Sequence, residues 1–187
     1  MFETSVRKHL LRIRGKEYDG KEGNSLGNES QSMKELKRMF TKIVVAIDGS
    51  EMSHKVLDTA FHLAKEQQSE LNVVYVGKEA GASTAAFVGM TYVPEDYFTT
   101  MVEELKREGE QILHRAAALA EQSGIQDLRT YYMTGDPAQM ILDFAQQQSC
   151  DLIIVGSRGL SGIKELMLGS VSHKVSQYSK CPVLIVR

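Results

Sequence analysis

The chain has 187 residues, a hydrophobic content of 42%, a charged content of 25% and a net charge of -2, the make-up of a soluble globular domain long enough to bury a core. This balance gives no bulk electrostatic reason for nucleic-acid binding, and no apolar run approaches the roughly 20 residues that span a bilayer. With no secretory h-region after the first basic residues, and only Cys150 and Cys181 as cysteines, the expected setting is a reduced cytoplasm and not a disulfide framework.

Residues 1–39 differ from the rest: nine Lys or Arg against six Asp or Glu give a net of +3, and -5 remains for the other residues. Phe2, Val6, Leu10 and Ile13 repeat at helical spacing, with Arg7, Lys8, Arg12 and Arg14 on other faces. The first 14 residues therefore read either as a basic amphipathic helix for a membrane surface or partner protein, or as a frayed tail. Residues 15–31 have the composition of a flexible linker, and Ser32 can cap a brief helix through Met39. The sequence thus divides into an N-terminal extension, 1–39, and a domain, 40–187.

The domain alternates strand and helix patterns. Lys42–Ile47 is a β-branched run of the buried-strand type, and Asp48-Gly49-Ser50 ends it. Ser50 is placed to cap the next helix, with Ser53 in its first turn and Val56, Leu57, Ala60, Phe61 and Ala64 on its buried face. Leu71–Val76 is the second strand, followed by a loose segment from about 77 to 97 that holds Gly77, Gly81, Gly89 and Pro94. A helical pattern runs from about Asp96 to Gln122, with Val102, Leu105, Ile112, Leu113, Ala116 and Leu119 as its stripe and Gly124 at its C′ position. Leu128–Met133 is the third strand. Asp136-Pro137 opens a helix to about Gln148, Leu152–Val155 is the fourth strand, a helix spans roughly 170–179, and Pro182–Val186 is the fifth strand. Such alternation predicts a parallel sheet with helices on both faces. Cys150 and Cys181 each stand just before a strand, and inert buried thiols are the expected state.

In an open parallel sheet, ligands bind beyond the carboxyl ends of the strands. There the sequence places Gly156-Ser157-Arg158-Gly159, then nine residues, then Gly169-Ser170 and Val171-Ser172. A strand that ends in a glycine loop opening a helix offers backbone N–H groups to an anion. The alternative is a flexible loop with an ordinary Gly-Ser helix start. There is no Walker loop, no Gly-x-Gly-x-x-Gly after the first strand and no Gly-x-Ser-x-Gly elbow, which argues against P-loop, dinucleotide and α/β-hydrolase chemistry. His9, His54, His62, His114 and His173 are scattered without metal-ligand spacing, so no metal site and no catalytic residue is expected from the chain itself.

The spacing Gly156-x2-Gly159-x9-Gly169-Ser170 resembles the ATP-binding signature of the universal stress protein family. Val44-Val45-Ala46-Ile47-Asp48-Gly49-Ser50 is similar to the family's first strand, and Lys180-Cys181-Pro182-Val183-Leu184-Ile185-Val186 to its last. The likeness covers about residues 40–187 and leaves the N-terminal extension outside. It implies an α/β fold of the adenine nucleotide α-hydrolase type, a five-stranded parallel sheet in order 3-2-1-4-5. It implies ATP with Mg²⁺ as ligand, with Ala46 and Asp48 at the adenine and ribose, and Val76 packed on the adenine. Gly156, Gly159, Gly169, Ser170, Val171 and Ser172 would hold ribose and phosphates, with Arg158 and Lys164 screening charge. It implies a homodimer through Val183, Leu184, Ile185 and Val186, and a nucleotide-dependent regulatory role in stress response without metabolic turnover. An ATP-using transfer enzyme, or a nucleotide-free interaction module, are the competing expectations.

Overall fold

A computed structural model describes residues 39–77, 95–160 and 168–187, all within a compact unit spanning Lys37–Arg187. The expected basic helix, linker and Ser32-capped helix before Met39, the loose segment 78–94 and Lys164 lie outside them. The elements are β1 (Lys42–Ile47), α1 (Glu51–Gln67), β2 (Glu70–Gly77), α2 (Glu95–Gln122), β3 (Leu128–Thr134), α3 (Pro137–Gln147), β4 (Leu152–Gly156), α4 (Ser170–Tyr178) and β5 (Val183–Val186). Every pairing is parallel and the strand order is β3-β2-β1-β4-β5. The order therefore reverses between β1 and β4. Asp151 fastens those two strands at their amino ends, its carboxylate accepting from Thr41 N at 2.8 Å, Thr41 Oγ1 at 2.7 Å and Lys42 N at 3.2 Å.

The alternation of side chains along each strand divides the core into two layers. Ile43, Val45, Leu71, Val73 and Ile154 face α1 and α2, where they meet Val56, Ala60, Phe61, Leu113, Ala116 and Ala120. Val44, Val74, Ile153 and Val155 face α3 and α4, against Ala138, Ile141, Phe144 and Val175. Strands flanked on both faces have few places for a polar side chain, which is why β1 and β4 read as nearly unbroken apolar runs.

One expected stripe is corrected. Val102 is 46% exposed and Leu105 only half-buried, so the buried face of α2 starts later, at Gly109, and continues through Leu113, Ala116 and Ala120. Length explains the difference. A helix of 28 residues extends about 42 Å, whereas β3 has seven residues and reaches about 23 Å, so the first turns of α2 overrun the sheet. At Gly109 the helix backbone presses on two rings: an added Cβ would lie 2.6 Å from both Tyr75 Cε1 and Tyr132 Cε2. Those rings stack with centroids 6.0 Å apart.

Three helices end in a left-handed residue. After α2 it is Gly124, with φ +71, and the turn closes through Gly124 N to Glu121 O and Ile125 N to Ala120 O, a Schellman pattern. After α1 and α3 the residues are Gln68 and Ser149, with φ 53 and 54, closed by Ser69 N to Ala64 O and Cys150 N to Ala145 O. Among the described residues no helix is long and apolar enough to cross a membrane.

Candidate functional site

The strand order reverses between β1 and β4, and Asp48 stands just past the end of β1 at that point. Its Oδ1 accepts from Ser50 N at 3.0 Å, Ser50 Oγ at 2.6 Å and Ser53 Oγ at 3.0 Å. Its Oδ2 accepts from Leu160 N at 3.1 Å, in the loop that follows β4. The expected cap is thereby revised. Ser50 occupies the N-cap position of α1 but its hydroxyl gives no cap hydrogen bond, because it is turned back to Asp48. Ser53 closes the turn instead, its Oγ accepting from Asp48 N at 3.2 Å and Gly49 N at 3.1 Å. Four donors occupy about the number of lone-pair sites that a carboxylate has. Asp48 thus binds the glycine loop to the end of β1.

The glycines of the loop serve different ends. A Cβ on Gly159 would collide with Asp48 Oδ2, so this glycine makes room for the carboxylate. A Cβ on Gly156 would lie 2.8 Å from Met52 Cγ and 3.0 Å from Arg158 O, so this one admits α1 and a tight turn. Gly169 differs. Its φ of -63 and ψ of 156 suit any residue, and a Cβ there would make only ordinary contacts, the nearest 3.4 Å from Ser157 O.

Gly169 is the N-cap of α4 and offers no side chain to the helix. Its own N–H is held by Ser157 O at 2.8 Å, and the first helical bond runs from His173 N to Gly169 O at 2.9 Å. The N–H groups of Ser170, Val171 and Ser172 thus precede the helical ladder, and they have no acceptor among the described residues. The Ser170 side chain is exposed and Val171 packs on the α3–α4 layer. Ser172 departs from expectation: it is 2% exposed, and its Oγ lies 3.1 Å from Ser157 O and 3.0 Å from Gly169 O, with both carbonyls accepting. It contributes its backbone N–H to the helix mouth, while its hydroxyl fixes the loop. Arg158 is half-buried between β4 and Gly159 and makes no ion pair among the described residues.

Ala46 and Val76 both pack on the α3–α4 layer. Ala46 pairs with Val155 of β4, and Val76 with Met133 of β3. The structure therefore gathers Ala46, Val76 and Val171 in one layer of the core, with Ala46 and Val76 towards the carboxyl ends of their strands. Ser157 joins them and was not singled out by the sequence. It is 3% exposed, its N donates to Val186 O at 2.7 Å, and its Oγ has no partner among the described residues. Its alternation with Ile153 and Val155 was the available signal, since that parity places it in the same layer. Asp136 caps α3 as its position before Pro137 predicts, accepting from Gln139 N at 3.0 Å. That hydrogen bond, with Lys174 Nζ at 3.4 Å, lowers its carboxyl below the usual aspartate range.

The family model described as the universal stress protein family matches residues 39–187. The chain belongs to this family. Universal stress protein YxiE of Bacillus subtilis is 55% identical over 149 residues, covering 80% of this chain and 100% of that one. Universal stress protein MJ0531 of Methanocaldococcus jannaschii is 34% identical over 149 residues, covering 80% and 83%. Among solved structures, universal stress protein UspA from Lactobacillus plantarum superposes with a TM-score of 0.66 at 20% identity, covering 79% of this chain and 97% of that chain. It shares the fold. A universal stress protein in complex with cAMP superposes with a TM-score of 0.56 at 27% identity, covering 79% and 97%. As a universal stress protein, the chain carries its glycine loop and last strand within the part matched to the family.

Proposed function

We propose that this universal stress protein binds ATP with Mg²⁺ at the mouth of α4 and acts as a nucleotide-dependent regulator. The observation that carries the reading is the set of three N–H groups at Ser170, Val171 and Ser172 that have no acceptor among the described residues, at the mouth of a helix that packs on the same layer of the core as Ala46 and Val76. Donors aimed in one direction from a helix N-terminus suit a phosphate group, and the helix dipole adds about 0.3–1 kcal/mol. The apolar faces of Ala46 and Val76 suit an adenine ring. Mg²⁺ would be carried on the phosphates with water completing its shell, since the described residues hold no cluster of three or more His, Cys, Asp or Glu side chains. Binding of cAMP by a protein 27% identical to this one supports an adenine nucleotide as the ligand class.

The role proposed for Asp48 is to hold the loop, because its carboxylate is engaged by four donors of the chain. That geometry supports binding over turnover. We further propose a cytoplasmic homodimer through β5, which lies at the edge of the sheet with Leu184 37% exposed. An apolar edge strand is otherwise an open template for pairing.

Calorimetry with Mg·ATP tests the site. Saturable binding at or below millimolar nucleotide is expected in the natural protein. Gly169→Val is expected to weaken it by about tenfold or more, as its branched side chain crowds the N–H groups, with circular dichroism unchanged. Absence of binding at millimolar ATP would overturn the proposal. Multiple-turnover release of a transferred product would favour an enzyme.

A further inference from the structure

Away from the glycine loop, α3 and α4 part over a cavity of about 520 Å³. Ile153 of β4 and Leu142 and Ala145 of α3 line it, and so do both cysteines, Cys150 and Cys181. The two thiols come from turns that feed adjacent parallel strands. Cys150 precedes β4, Cys181 precedes β5, and Ile153 N donates to Pro182 O at 3.0 Å. Pairing therefore persists down to the residue next to Cys181. The register Ile153↔Val183 carries Cys181 beside Asp151, one residue from Cys150; with strands about 4.8 Å apart and a rise of about 3.3 Å per residue, the two Cα atoms come to about 6 Å, within the roughly 4.4–6.8 Å that a disulfide bridges. Both side chains pack in the same layer of the core.

The pair is unequal. Cys150 is buried, and Cys181 is half-buried. Ser179 holds Cys181 in a tight turn: its Oγ accepts from Cys181 N at 3.2 Å, donates to Cys181 O at 2.7 Å, and lies 3.5 Å from the Cys181 Sγ. One thiol is thus presented to the cavity from a fixed turn, with a second thiol sequestered in the same wall.

We propose that Cys181 and Cys150 are a redox modification site that a hydroperoxide converts into an intramolecular disulfide, with Cys181 reacting first. In the first step the Cys181 thiolate attacks the outer peroxide oxygen. The O–O bond breaks, the sulfur is oxidised to a sulfenic acid, and the alkoxide or hydroxide released takes up the proton that Cys181 has lost. In the second step the Cys150 sulfur attacks the Cys181 sulfur. The S–O bond breaks, and the hydroxyl leaves with the Cys150 proton as water. The balance is two thiols and one hydroperoxide to one disulfide, one alcohol or water, and one further water. Burial pushes the Cys150 thiol up to about 12, which keeps it protonated and a poor nucleophile toward the oxidant; in the second step its proton goes to the departing hydroxyl as the sulfurs join. A lone sulfenic acid proceeds to sulfinic acid under excess peroxide, and a neighbouring thiol intercepts it.

The full chain, reduced and freed of reductant, is treated with stoichiometric hydrogen peroxide, blocked with an alkylating agent and weighed intact under denaturing conditions. The expected product has lost two hydrogens, carries no alkyl group, and yields a Cys150–Cys181 cross-linked peptide. In Cys150→Ser, dimedone is expected to label Cys181 about tenfold more than in the natural protein, because nothing intercepts the sulfenic acid. In Cys181→Ser, Cys150 is expected to stay reduced. Alkylation of both thiols after peroxide, sulfinic acid at Cys181 beside a free Cys150, or cross-linking only between chains would each overturn the proposal. The measurement on the natural protein decides it even if a variant fails to fold.

Discussion

Asp48 directs both carboxylate oxygens at its own chain, and Gly159 is the residue that makes this possible. Their coupling is measurable. Gly159→Ala pushes a methyl group into Asp48 Oδ2 and breaks the reach to Leu160 N, so it is expected to cost about 1–3 kcal/mol. With Asp48→Ala already in place the methyl has space, and the same change should be close to neutral. A double-mutant cycle in urea is expected to return a coupling of about 1 kcal/mol or more, as for residues in contact. Additive effects would show that the loop is held by something else. The residue scale is also where reading from sequence stops. Asp48 and Gly159 meet where the strand-reversal rule brings the ends of β1 and β4 together. That the carboxylate is engaged, that Ser172 turns inward and that Ser157 is buried depend on side-chain directions, which only the packed loop defines.

At the scale of elements, α2 shows how a helical stripe misleads when a helix is longer than the sheet it covers. Val102 has the right spacing and type but stands beyond the strands, 46% exposed, while Gly109, which no stripe would select, is buried against the sheet. Gly109→Ala places a Cβ 2.6 Å from the rings of Tyr75 and Tyr132. Those rings are stacked and cannot yield easily, so the expected loss is about 1–3 kcal/mol, although alanine is the better helix former by about 1 kcal/mol. Chemical denaturation checks the sign: a stabilised variant would mean that α2 shifts freely on the sheet. The other helices are legible because each lies over strands of matching length. Val56, Leu57, Ala60, Phe61 and Ala64 of α1 are all buried, in agreement with their spacing.

For the whole molecule, the strand segments follow from buried β-branched runs, but their order does not. Spacing alone allows several parallel arrangements, and the order 3-2-1-4-5 came through the likeness to a known family before the pairing of β1 with both β2 and β4 established it. The outer edge of β5 bears the proposed dimer. Leu184→Lys places a charge on that edge, and light scattering is expected to show a dimer in the natural protein and a monomer in the variant; unchanged mass would move the interface elsewhere. The helix ends carry a last consequence. Gln68 and Ser149 hold left-handed backbone conformations that Gly124 adopts without strain. A side chain in that region costs about 1–2 kcal/mol, partly offset by the freedom that glycine loses on folding. The fold therefore keeps a reserve of thermal tolerance in these two turns. Exposed Ser149 is the simplest point of access: Ser149→Gly is expected to add about 0.5–1 kcal/mol, which scanning calorimetry would register as a melting temperature about 1–4 °C higher.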